Sequence, residues 1–359
     1  MMQGATPEVV ERALASKDPL PGTRGFAGRL PDGRLVRDVL GRYPLYSAAD
    51  DPREWAFDPA RLAEPERVPA GHVRTPEGDE RVWTLPGLEP EGDDETAIAA
   101  VREAIEASVA DAAAEGSTAV AFSGGVDSAA VAAGIDGPLY VAGFPDSHDL
   151  AAAREAASAV GRDLTSLELS HADLERAVRA VARATGRTNA MDVSIAVPLY
   201  LVAERARADG YDRLAVGQGA DELFGGYAKV AKAPDDHRLV AETVRGARDE
   251  VLATLPDQLP RDVLAIRAAG IEPVAPLLDD RVVAAALRLP DHLLVRGEER
   301  KVALREAMRG RLPASVVDRD KKAMQYGSLV ARELDRMARQ NGFKRKIGDH
   351  VDKYVASLL

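Results

Sequence analysis

The chain has 359 residues, with 47 Lys and Arg against 58 Asp and Glu for a formal net charge of −11, and it contains no cysteine. The length allows two domains or one large one with an appendage, and 46% hydrophobic residues can bury a sizeable core. Without cysteine there are no disulfides, thiolate metal sites or cysteine nucleophiles in these residues; the acidic balance argues against a nucleic-acid partner, and the absence of a membrane-length apolar run or an apolar signal core points to a soluble, cytoplasmic protein.

Residues 1–90 are rich in Pro, Gly and Arg, with short apolar pieces such as Arg34-Leu35-Val36-Arg37 and Arg81-Val82-Trp83-Thr84. They read as short strands and turns rather than helices, a small β-rich N-terminal domain. Pro86 to Asp94 is a linker by composition. From residue 95 the pattern changes. Ile98, Val101, Ile105 and Val109 recur at helical spacing, with Gly116 available to end the helix. Strands are expected at Thr118 to Phe122, Leu139 to Phe144, Leu164 to Leu169 and Arg213 to Val216. Helices are expected after Ala129, from Leu150 to Val160, from His171 to about Thr185 and from Ser194 to Ala208. This alternation predicts an α/β fold with a parallel, five-stranded, doubly wound sheet over residues 95–340, helical in its C-terminal part beyond residue 228. Ligands of such sheets sit at the carboxyl ends of the strands. The tail, 341–359, contains Lys344-Arg345-Lys346 and an amphipathic stretch. It reads as a solvated face, with contact to RNA or a partner as the alternative. The six histidines are scattered, and none pairs at metal-ligand spacing.

Two glycine-rich segments follow predicted strands. The first is Ser123-Gly124-Gly125-Val126-Asp127-Ser128. Glycines let backbone approach phosphate oxygens, and the first N–H groups of a following helix point at them. The spacing is not Gly-x-x-x-x-Gly-Lys-Ser/Thr. It resembles instead the PP-loop of enzymes that split ATP into AMP and pyrophosphate. The second is Gly217-Gln218-Gly219-Ala220-Asp221-Glu222-Leu223-Phe224-Gly225-Gly226-Tyr227. Its acidic pair could also serve simply as an N-terminal helix charge.

Both motifs in this order resemble the asparagine synthetase family, whose synthetase domain has a PP-loop, HUP-like fold. The resemblance implies that Ser123, Gly124, Gly125, Asp127, Ser128, Gly217 and Gly219 bind ATP and its pyrophosphate, and that Asp127 and Asp221 hold Mg²⁺. A third segment, Gly270-Ile271-Glu272-Pro273-Val274-Ala275-Pro276-Leu277-Leu278-Asp279, resembles the family's Gly-(Val/Ile)-Glu-x-Arg-x-Pro-Phe-Leu-Asp. It implies Glu272 as general base toward the incoming amine; burial in an enclosed site would raise its pKa for that task. An ion-pair role between domains is the alternative. Val274 and Leu277 depart from the family's Arg and Phe. A fourth segment, Lys301-Val302-Ala303-Leu304-Arg305-Glu306-Ala307 with Arg319-Asp320-Lys321-Lys322, resembles Lys-x-x-Leu-Arg-x-Ala and Arg-x-Lys. It implies that Lys321 stabilises the departing pyrophosphate; its neighbour Lys322 is the rival for that role, and a solvated basic turn is the alternative for both. Gly143 to Asp149 is a weaker match.

Residues 1–90 resemble the second half of a class II glutaminase domain. Arg37-Asp38-Val39-Leu40-Gly41-Arg42-Tyr43-Pro44-Leu45-Tyr46 and Val68-Pro69-Ala70-Gly71-His72 carry that likeness. With no cysteine nucleophile, free ammonia, a substrate amine or ammonia from a separate glutaminase is the expected nitrogen source. The implied function is an ATP-dependent, AMP-forming ligase that makes asparagine from aspartate and ammonia. Adenylation of another carboxylate or of tRNA, and a non-catalytic module sensing ATP or an amino acid, are the alternatives. A homodimer is left open.

Overall fold

The computed structural model describes residues 1–233, 241–319, 328–345 and 348–359. Lys321, Lys322 and Lys346 lie outside the described residues. The chain divides into two compact units, each built from three segments. The first comprises Met1–Asp111, Gly217–Pro260 and Ala275–Gly310, and the second Ala112–Val216, Arg261–Val274 and Arg311–Leu359.

The first unit begins with the short strands that the composition predicts. They are β1 (Met2–Gln3), β2 (Ala27–Arg29), β3 (Leu35–Arg37), β4 (Tyr46–Ala48), β5 (Trp55–Ala56), β6 (Pro65–Arg67), β7 (His72–Thr75) and β8 (Gly78–Arg81). They form two antiparallel sheets, ordered β1-β2-β3-β7-β8 and β5-β4-β6. One expectation is corrected: the region is not free of helix, because Pro7–Ser16 is a ten-residue α-helix. Thr6 holds the extended N-cap conformation, and Pro7 supplies a helical φ at a position that needs no N–H. Val10 and Ala13, three residues apart on one face, pack with Phe26, Val36, Val73 and Trp83. The rings of Phe26 and Trp83 meet edge to face, 5.4 Å apart.

The Arg37 to Tyr46 segment is a buried polar hub of this unit. The fully buried Arg37 donates to the carbonyl oxygens of Tyr43 (2.8 Å), Val68 (3.0 Å), Gly41 (2.7 Å) and Pro256 (3.2 Å). Burial pulls its pKa down to about 10. Arg42 bridges Asp38 (2.8 Å) and Asp280 (2.7 Å) and donates to the Leu278 carbonyl (2.7 Å). Burial alone would lower Arg42, but Asp280 and Asp38 outweigh it and hold it above its ordinary value. Arg42 Nη2 is the exception in this hub, a buried donor with no hydrogen-bond partner among the described residues.

The second unit is built on the five-stranded parallel sheet. Its strands are β9 (Thr118–Ala121), β10 (Leu139–Gly143), β11 (Leu164–Glu168), β12 (Arg213–Ala215) and β13 (Glu272–Val274), in the order β11-β10-β9-β12-β13. All five residues of β10 are buried, the continuous burial expected of a strand covered on both faces. Helices Val126–Ala132, His148–Ala159, His171–Thr185 and Ala190–Ala208 connect successive strands. From β9 the chain runs to one side of the sheet and later returns to the other, so the topological switch point lies between β9 and β12. The fifth strand falls where the sequence showed only a motif. Glu272-Pro273-Val274 pairs with β12 alone, and an edge is where a proline without an N–H is tolerated in a sheet. Among the described residues no helix is long and apolar enough to cross a membrane.

Candidate active site

In the second unit, Ser123 to Ser128 turns the chain from the end of central strand β9 into the helix Val126–Ala132. Gly124 has φ +77, and a Cβ there would lie 2.5 Å from the Ala152 carbonyl oxygen and 2.9 Å from the Ala153 Cα. Only glycine meets both conditions. Ser128 Oγ accepts the Ser123 N–H at 3.2 Å and donates to the Gly125 carbonyl at 3.1 Å, tying the two ends of the loop together. Ser123 Oγ lies 3.4 Å from Ser128 Oγ. Asp127 is buried in the first turn of the helix. The structure thus gathers Ser123, Gly124, Gly125, Asp127 and Ser128 into one loop with hydroxyl and carboxylate groups at a strand end.

Glu272 opens β13 in the same unit. Its side chain is 49% exposed, not enclosed. Arg267 grips it, with Nε 2.8 Å from both carboxylate oxygens and a second nitrogen at 2.7 Å. Val274, two residues on, is buried in the strand.

The first unit carries the second motif. Gly219, at φ +95, is the N-cap of the short helix Ala220–Leu223, and a Cβ there would strike Leu278 Cδ2 at 2.5 Å. Asp221 is paired with Lys301, Nζ to Oδ1 2.6 Å. Gly226 closes over this pair: a Cβ would sit 2.0 Å from Asp221 Oδ1 and 2.4 Å from Lys301 Cε. The Gly226 carbonyl accepts from Arg300 at 2.6 Å. Glu222 is buried and accepts the Tyr227 hydroxyl at 2.6 Å. Burial pushes its carboxyl up, and the neighbouring Asp221 charge adds to this against the opposing Tyr227 bond.

Lys301 stands first in the fourth motif, where the sequence alone assigns it no role. Lysine is scarce beside arginine here, which was a signal in its favour. Lys321 lies outside the described residues. Gly217 begins the first unit's second segment, immediately after Val216, whose N–H donates to the Val274 carbonyl at 2.9 Å.

Asp127 in the second unit and Asp221 in the first each carry hard carboxylate oxygens of the kind Mg²⁺ takes. Among the described residues no three or more of His, Cys, Asp and Glu gather into a cage.

A parallel α/β sheet with its glycine-rich Ser/Asp loop at the switch point defines a protein of the PP-loop class. The asparagine synthase family model matches residues 100–253 and 245–351. The chain belongs to that family. It is similar to a protein of Methanocaldococcus jannaschii assigned the name asparagine synthetase 1 (glutamine-hydrolyzing), at 30% identity over 256 residues, covering 61% of this chain and 47% of that one. It is similar to the glutamine-hydrolyzing asparagine synthetase B of Escherichia coli K12, at 32% over 190 residues, 52% of this chain and 34% of the relative. To asparagine synthetase 3 of Arabidopsis thaliana it is 25% identical over 226 residues, 61% and 37% of the two chains. The chain thus spans less than half the length of each of these relatives.

Proposed function

We propose that this protein is a cytoplasmic, ATP-dependent, AMP-forming amide ligase, with aspartate as acceptor and ammonia as nitrogen donor. The observation that carries this reading is the Ser123 to Ser128 loop at the end of the central strand, in a chain of the asparagine synthase family. An oxygen of the acceptor carboxylate attacks the α-phosphorus of ATP. The bond from that phosphorus to the bridging oxygen breaks, and pyrophosphate leaves. Ammonia then attacks the acyl carbon of the adenylate, loses a proton, and AMP departs. The loop amides and the Ser123 and Ser128 hydroxyls would hold pyrophosphate, together with Gly217 and Gly219. Lys321 would offset its charge, by its place in the motif. Mg²⁺, when bound, would neutralise phosphate charge, with Asp127 and Asp221 as its protein ligands.

Glu272 is the candidate base. Both of its carboxylate oxygens are engaged by Arg267, so this role requires Arg267 to release it. The Arg267 clamp and the buried Val274, which stands where the family has Arg, favour a second reading in which the acceptor is a carboxylate other than aspartate. The 359 residues contain no cysteine, so a cysteine-dependent glutaminase step is not assigned to them. Residues 1–90 are read as related to the second half of a glutaminase domain.

The test is exchange of labelled pyrophosphate into ATP. It should depend on the acceptor, with aspartate active, and Asp127→Ala should abolish it. Undiminished exchange in that variant removes the metal role. Acceptor-dependent exchange with another carboxylate but none with aspartate selects the second reading.

A further inference from the structure

A cavity of about 380 Å³ lies wholly within the first unit, apart from both glycine-rich motifs. One wall is the nine-residue helix Val244–Leu252, and the opposite wall comes from the N-terminal region around Leu40 and Trp83. Arg245, Arg248 and Leu252 recur along the helix at spacings of three and four, which places them on one face. The helix has no acidic residue in its first turn, and Arg245 stands there, where the helix dipole disfavours a cation. Among the described residues three arginines line the cavity, Arg81, Arg245 and Arg248, against a single acid, Asp249.

Of the two helix arginines Arg248 is buried and paired, while Arg245 is half-buried and incompletely paired. Arg248 is 1% exposed. Among the described residues its only carboxylate contact is Asp249, at 2.7 Å, whose own side chain is 59% exposed; a second donor reaches the Ala286 carbonyl at 2.7 Å. Burial draws the Arg248 guanidinium below its ordinary pKa despite Asp249. Arg245 spends one terminal nitrogen on the Leu88 carbonyl at 2.6 Å, while its Nε is buried with no hydrogen-bond partner. A buried, unpaired guanidinium donor is costly unless an acceptor completes it. Apart from Thr84 the rest of the described lining carries no polar side chain beyond the Trp83 indole, with Leu40 and Trp83 almost fully buried. The volume falls within the range of small-molecule sites.

We propose that this cavity binds a small organic anion. Its carboxylate or phosphate would meet Arg245, and a short apolar body would lie against Leu40, Trp83 and Leu252. The site is independent of the adenylation chemistry proposed above, and its test reads binding alone.

The full chain is titrated calorimetrically with hexanoate and with hexyl phosphate, using hexanamide and acetate as controls that lack the charge or the body. Saturable binding of either anion is expected, with whichever is tighter identifying the headgroup. The controls should bind roughly tenfold more weakly or worse, as should both anions to Arg245→Gln. Ala253→Phe, at an exposed lining position, should block the cavity while leaving far-ultraviolet circular dichroism unchanged. The proposal is overturned if neither anion saturates the wild-type chain below about 10 mM. It is equally overturned if hexanamide matches hexanoate, or if a folded Arg245→Gln or Ala253→Phe binds as tightly as the wild type.

Discussion

Replacing Lys301 with methionine should show whether its pairing with Asp221 holds the second motif together. Methionine keeps most of the apolar stem and removes the charge. At the observed 2.6 Å, the Coulomb attraction is roughly 6 kcal/mol with an effective dielectric constant of about 20. Most of this is offset by the cost of desolvating the nearly buried ammonium. Asp221 is 38% exposed and can recover water once its partner is gone, so the expected net destabilisation is about 1–3 kcal/mol. The assay is urea unfolding followed by tryptophan fluorescence. Both tryptophans, Trp55 and Trp83, belong to the first unit, so the signal reports on the unit that contains the pair. A cycle with Asp221→Asn isolates the interaction, and a coupling of roughly 1–2 kcal/mol is expected. A coupling below about 0.5 kcal/mol would refute the claim that this pair organises the motif.

Gly124→Ala should force the loop open: a left-handed backbone costs about 1–2 kcal/mol for a residue with a Cβ, and the added carbon meets the Ala152 carbonyl at 2.5 Å. A lower unfolding midpoint together with lost ATP binding is expected, and an unchanged nucleotide titration counts against the loop as the phosphate site. Glu222→Gln should reverse a pH penalty. Burial holds the Glu222 carboxyl above its ordinary pKa, so between the two values the folded chain keeps a proton that the unfolded chain releases; stability from this group is full in acid and falls as pH rises. Glutamine retains an acceptor for the Tyr227 hydroxyl and cannot ionise. The variant should therefore melt above the wild type near about pH 8, with the advantage shrinking toward pH ~4, and a constant difference across that range would contradict the assignment.

What the sequence made legible was what is local and strongly patterned. Four strands of the parallel sheet stand out as short apolar runs between helical periodicities, and the helix from His171 to Thr185 was placed to its ends, where Ser170 and Gly186 cap it. Both glycine-rich loops fell at strand ends for the same reason. The rest depended on contacts that sequence spacing hides. Glu272-Pro273-Val274 is only three residues long, and its proline argues against a strand until its edge position is known. The helix Pro7–Ser16 sits in a segment whose Pro, Gly and Arg content masked it. The pairing of Lys301 with Asp221 joins residues far apart in sequence, and the Arg267 clamp on Glu272 crosses a helix end and a turn.

The placement of β13 has a consequence for how the protein can be assembled and dissected. The chain leaves the second unit after Val216, builds a segment of the first unit, and returns to it at Arg261 before Glu272 to Val274 can pair with Arg213 to Ala215. That pairing must close a long loop before it gains a single ladder bond, so the last strand is a late event by contact order. A fragment ending at Val216 would hold the whole Ser123 to Ser128 loop yet leave β12 as a bare edge open to other chains. The candidate base and the candidate phosphate loop therefore share a sheet that no contiguous piece of this chain ending before residue 272 can complete.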